Sequence, residues 1–259
     1  MLLTLAAAAL ALIVIASAYF ATVPDAVTIS GVDAAPVQTD WQHALQVVAN
    51  VKAKPPGLPV VCLLGDSVAR ECVASEGGWA AAVRDAGGPA ALTYDLGSGN
   101  RSIAQDLRLI AALPKVPSIV FIGMDLDRFT AARSSPTITL PTPSEPPPAW
   151  AQHHYSTSLG LARKRSLVRA WMTRRYPVFK KNYASNLALL EKLIMAAKAK
   201  GLHPVLLDLP RNGAVIASAL DVPIARYRRS CRALAADHDI PWVGFVTAAG
   251  LRNGDFHDL

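Results

Sequence analysis

The sequence predicts an α/β fold in which a parallel sheet of about five strands is covered by helices on both faces. Three observations predict it. Short apolar runs alternate with longer segments of helical periodicity, the pattern of successive βαβ units. The runs are apolar throughout rather than alternating with polar residues, which suits strands buried on both faces. At 259 residues, 52% hydrophobic and 17% charged, the chain can bury a sizeable core, and disorder throughout is excluded.

Leu2 to Phe20 carry no charge and are long enough to span a bilayer, so residues 1–20 are expected to be an export signal or a membrane anchor. Ala16-Ser17-Ala18 has the small-x-small pattern of a cleavage site, and no Lys or Arg occurs before Lys52. Residues 21–57 read as a stalk with a short helix around Trp41 to Val51. The apolar run between Pro59 and Gly65 is the first strand, and a helix starts near Ser67. Gly77 to Ala86 is helical and stops at Gly87-Gly88. Ala91 to Leu96 is a second strand that runs into the turn Gly97-Ser98-Gly99-Asn100. Ile103, Leu107, Ile110 and Leu113 keep helical spacing within Ser102 to Leu113. Val116 to Gly123 is the third strand. Tyr183 to Lys200 is a long helix closed by Gly201, Pro204 to Leu209 a fourth strand, Asp221 to Asp237 a helix, and Trp242 to Val246 a fifth strand.

An insertion, residues 127–182, separates the third strand from the long helix. Its first half is proline-rich and reads as an extended loop. In its second half Leu167, Val168, Trp171, Met172 and Tyr176 share one helical face, while Arg165, Arg169, Arg174 and Arg175 populate the rest. From Pro146 to Leu190 there are eight Lys and Arg and no Asp or Glu, whereas the remainder holds 18 basic and 19 acidic residues. The basicity is therefore local. It argues against a nucleic-acid role for the whole protein and leaves residues 163–181 as a solvated face or a surface for an anionic membrane or polymer. The three cysteines fit no metal spacing. Cys62 lies inside the first strand, so with export expected, Cys72 and Cys231 are the pair predicted to form a disulfide.

Chemistry points to Gly65-Asp66-Ser67, where a buried strand delivers a serine to the start of a helix. The plain alternative is that Asp66 and Ser67 only cap that helix. Placed after a β-like run, the block resembles the first block of the SGNH, or GDSL, hydrolases. The resemblance covers most of the chain from Val60 to Leu259. It implies a three-layer, flavodoxin-like fold, a nucleophilic Ser67, and no metal or organic cofactor. It also implies oxyanion donors from Ser67 itself, from Gly97 with Gly99 as the fallback, and from an asparagine after the third strand.

The chain departs from that pattern twice. Asp125 stands where the asparagine would donate, and an ionised carboxylate has no proton to give. Either Asp125 is protonated in a buried site, or another donor such as Asn100 substitutes, or activity is weak; the structural alternative is that Asp125 caps the turn after the strand. The family's Asp-x-x-His is also incomplete in Asn253-Gly254-Asp255-Phe256-His257-Asp258-Leu259. The expectation is that the chain stops short of its catalytic histidine, with His257 beside Asp255 or Asp258 as the competing base. The function expected is an acyl esterase outside the cytoplasm, working through an acyl-serine on an ester of an envelope glycan or a lipid. A non-catalytic cell-surface binding module and an O-acyltransferase acting on envelope glycans are the alternatives.

Overall fold

The computed structural model describes residues 37–73, 75–115, 118–131, 138–144, 159–216 and 218–244. Five parallel strands form one sheet, β1 (Val60–Leu64), β2 (Leu92–Asp95), β3 (Ser118–Met124), β4 (His203–Asp208) and β5 (Trp242–Gly244), in the order β2-β1-β3-β4-β5. The helices are α1 (Val37–Ala53), α2 (Ser67–Glu71), α3 (Glu76–Asp85), α4 (Ile103–Ala112), α5 (Leu161–Ala170), α6 (Tyr176–Ala199), α7 (Gly213–Ile216) and α8 (Asp221–Asp237). This is the three-layer α/β fold that the sequence predicts. Every residue of β1 and β3 is buried, which is why both read as unbroken apolar runs.

Topology decides which face each helix covers. The chain leaves β1 for β2 in one direction and then returns to step through β3, β4 and β5 in the other. A constant crossover hand therefore puts the first connection on one face and the later ones on the opposite face. Accordingly, Trp79 and Val83 of α3 pack against Val61, Leu63, Phe121, Val205 and Leu207. On the other face α1, α4, α6 and α8 close over Val60, Cys62, Leu64, Val120, Ile122, Met124 and Leu206.

The structure corrects two expectations. The helix expected around Trp41 to Val51 is present and longer, a 17-residue α1, and it is no part of a free stalk, because its Ala44, Val47, Val48 and Val51 belong to the core. The proline-rich strap holds it down: Gln46 Nε2 donates to Thr142 O (3.0 Å), and Asn50 exchanges hydrogen bonds with the Ser144 backbone. The predicted disulfide is absent, because Cys72 packs on the α3 face and Cys231 of α8 on the other, with the sheet between them. A smaller difference lies in the long helix, which starts well before Tyr183. It runs from α5 through a π-helical turn at Trp171–Arg175 into α6, and Pro177 sits in the first turn of α6, where its missing N–H is tolerated. Val168 and Trp171 are buried there, while Arg165, Arg169, Arg174 and Arg175 are exposed.

Burial pushes the thiols of Cys62, Cys72 and Cys231 upward, so they should be both reduced and unreactive. Iodoacetamide is expected to modify no cysteine in the folded protein and all three after denaturation without reductant. A thiol that becomes available only after reduction would contradict this arrangement.

Candidate active site

The carboxyl ends of β1, β2 and β3 bring three turns together, and each is built by a specific local contact. After β1 the backbone must pass close under the next helix: a Cβ on Gly65 would lie 2.3 Å from Ala69 Cβ. Asp66 is extended and caps α2, its Oδ1 accepting the Val68 N–H (3.1 Å). Ser67 is the first residue of α2 and is exposed, although Gly65, Asp66, Ala69 and Arg70 around it are all buried.

The turn after β2 is stitched to this elbow. Ser98 N–H donates to Gly65 O (3.2 Å), and a Cβ on Gly97 would meet the Arg70 backbone nitrogen at 2.7 Å, so only glycine lets the two segments approach. The Gly97 N–H, the donor implied for an oxyanion, instead donates to Asp95 Oδ1 (2.8 Å). Asn100 is exposed and takes a left-handed backbone at φ 58°, which asparagine tolerates better than most residues.

After β3, Asp125 is buried and its Oδ1 accepts the Arg128 N–H (3.1 Å). Its carboxyl also shares a hydrogen bond with that of Asp66, which requires a proton between them. Burial, then the negative charge of Asp125, raises the Asp66 carboxyl well above the usual range, so Asp66 carries the proton. Asp127 accepts from Trp171 Nε1 (2.7 Å) and pairs with Arg175 (3.2 Å), tying the basic helix to the end of β3.

Behind these turns lies a buried ionic frame. Asp106 of α4 is gripped by Arg128 and by Arg101 (3.3 Å). Arg101 Nη2 also donates to Leu96 O (2.8 Å), and Arg128 Nη1 to Arg101 O (2.9 Å). Burial pushes the Arg101 guanidinium down to about 10, still high enough to keep it charged near neutral pH.

Sequence reasoning missed a second network, supplied by α1. Asp40 pairs with Arg70 of α2 (2.9 Å), and His43 with Glu76 of α3 (2.8 Å), while Glu76 Oε1 also accepts the Asp95 N–H (2.8 Å). The signal was present: Asp40, His43, Gln46 and Asn50 recur every three or four residues beside the apolar stripe of Ala44, Val47, Val48 and Val51.

Ser67, Gly97, Asn100 and Asp125 all belong to turns at one edge of the sheet. Asp255, His257 and Asp258 lie outside the described residues, as do residues 2–20. Among the described residues, no group of three or more His, Cys, Asp or Glu could hold a metal ion, and no helix is long and apolar enough to cross a membrane. The chain matches no protein-family model and no curated protein.

The raised Asp66 carboxyl has a defined pH consequence. A carboxyl protonated in the fold but ionised in the unfolded chain contributes stability that is fully present below its unfolded pKa, about 4, and is lost as pH rises through the folded value. Asp66→Asn keeps both the cap acceptor and a donor toward Asp125 without a titrating proton. Relative to wild type, it should be more favourable at pH 8 than at pH 5 in urea unfolding. Equal differences at the two pH values would show that Asp66 does not hold the proton.

Proposed function

We propose that this protein is a serine hydrolase that cleaves an acyl ester outside the cytoplasm through a covalent acyl-Ser67 intermediate. The observation that carries the reading is the exposed Ser67 set at the start of α2 directly after β1, among buried neighbours. In a sheet of order β2-β1-β3-β4-β5 the connections reverse direction at β1 and β3, which is where open α/β sheets place their ligand crevice.

In this mechanism Ser67 Oγ attacks the ester carbonyl while a base takes its proton. The alcohol leaves with that proton, and water then releases the acid from Ser67. The base is the C-terminal His257, oriented by Asp258 or Asp255. The Ser67 N–H and Asn100 are the oxyanion donors, joined by Gly97 if substrate draws its N–H away from Asp95. An O-acyltransferase would share the same intermediate and differ only in the acceptor.

A second reading has its own support. The Gly97 N–H is engaged by Asp95, and Asp125 is held as an acceptor, as suits a non-catalytic binding module on the same fold. A serine-reactive fluorophosphonate separates the two. It should label wild type at Ser67 and leave Ser67→Ala unlabelled, and Ser67→Ala should lose on the order of 10⁴-fold in ester hydrolysis. An unlabelled wild type would favour the binding module.

The proposed setting is an anionic surface, reached through α5 and the π turn. Arg163, Arg165, Arg169, Arg174 and Arg175 are exposed there, and Arg175 pairs with Asp127 at the rim of the same edge. Binding to vesicles containing phosphatidylglycerol should weaken as salt rises from about 50 to about 500 mM. Changing Arg165, Arg169, Arg174 and Arg175 to Ser should abolish it, and unchanged binding by that variant would remove the helix from the interaction.

A further inference from the structure

At the end of β4, hydrogen-bond donors are without an acceptor among the described residues. Asp208 is buried and accepts from Tyr227 Oη, from Arg211 Nη2 (2.9 Å) and from Arg228 Nε (2.7 Å). Arg228 reaches water, with 28% of its side chain exposed. Arg211 is more enclosed: its side chain is 10% exposed and its guanidinium lies over the Tyr227 ring at 4.8 Å. Its Nε and Nη1 are buried and find no hydrogen-bond partner among the described residues. Buried guanidinium donors are costly to leave without an acceptor, and these belong to a side chain already fixed by an ion pair and a ring.

Arg211 also stands on the edge that carries Ser67. Leu209 N–H donates to Met124 O, so the chain leaving β4 runs beside the turn of Asp125, whose charge acts on Arg211. A Cβ on Gly123 would touch both Leu209 Cδ1 and Ala69 Cβ, so these two residues flank one glycine. Arg211 is two positions after Leu209, and Ser67 two before Ala69. The charges at this end of the sheet do not balance. Asp208 has two guanidiniums, leaving one positive charge over.

We propose that Arg211 recognises an anionic group, a carboxylate or a phosphate, on the ester processed at Ser67. The proposal rests on Ser67 as nucleophile only for calling the bound molecule a substrate. The test therefore includes a binding arm that needs no activity. The melting temperature of the full chain is measured with disodium succinate or inorganic phosphate, each against sodium chloride of equal ionic strength. A rise of about 3 °C at roughly ten times the dissociation constant is expected. Stabilisation by succinate alone assigns a carboxylate, by phosphate alone a phosphate. The effect should vanish in Arg211→Gln and persist in Arg84→Gln, a change on the exposed side of α3. If Arg211→Gln does not fold, Asp208→Asn/Arg211→Gln, which removes the stranded carboxylate as well, takes its place. In the kinetic arm the ratio of kcat/KM for an aryl hemisuccinate to that for the aryl acetate should fall on the order of tenfold in the same variant. Absence of stabilisation by either anion, or equal stabilisation of wild type and the Arg211 variant, overturns the proposal. If Ser67 fails to label, the hydrolase reading falls and the melting arm still decides the role of Arg211.

Discussion

Asp106, gripped by Arg101 and Arg128, ties the turn after β2 to the turn after β3, and the geometry of the whole sheet edge depends on it. All three side chains are fully buried, so their desolvation is heavy, and such clusters contribute little net stability compared with apolar packing. What they impose is a unique arrangement, because loss of one member strands the others at a cost of about 3–5 kcal/mol. Through Arg101 the frame holds Leu96 O, and through the Arg128 N–H it holds Asp125. The positions of Gly97 and Asp125 relative to Ser67 are consequences of that one carboxylate.

A shared proton complements the frame. Two carboxyl groups at the ends of adjacent strands would repel if both were ionised, and burial removes the water that would screen them. With Asp66 protonated, the same side chain caps α2 and donates to Asp125. The elbow that presents Ser67 is therefore held by neutral and ionic hydrogen bonds together. Its electrostatics differ from those of an asparagine at position 125, which would donate where this chain accepts.

Much of the fold was legible because its strands are buried on both faces. Val60–Leu64 and Ser118–Met124 leave an apolar trace that no loop would tolerate, and the spacing of Ile103, Leu107 and Ile110 marks α4 as plainly. The extent of α1 was harder, because its Asp40 and His43 are held by Arg70 and Glu76 and its Gln46 and Asn50 by the strap, and such polar positions resemble a solvated segment in sequence. For the candidate site, the Gly-Asp-Ser block located Ser67, since a strand end and a turn glycine are local features. Long-range pairing was not legible. Nothing near Arg128 in sequence announces that it is buried against Asp106, and Cys72 and Cys231 could be assigned to opposite faces only once the order of strands was known.

The clasp on α1 has a bearing on how the domain is made. Gln46 and Asn50 find their partners in Thr142 and Ser144, more than ninety residues further along the chain. During synthesis α1 must emerge with its apolar stripe uncovered and wait until β1, α4 and the strap have all been translated. The earliest helix among the described residues is thus among the last to be secured, and completion of the native state is tied to the release of the chain through the strap.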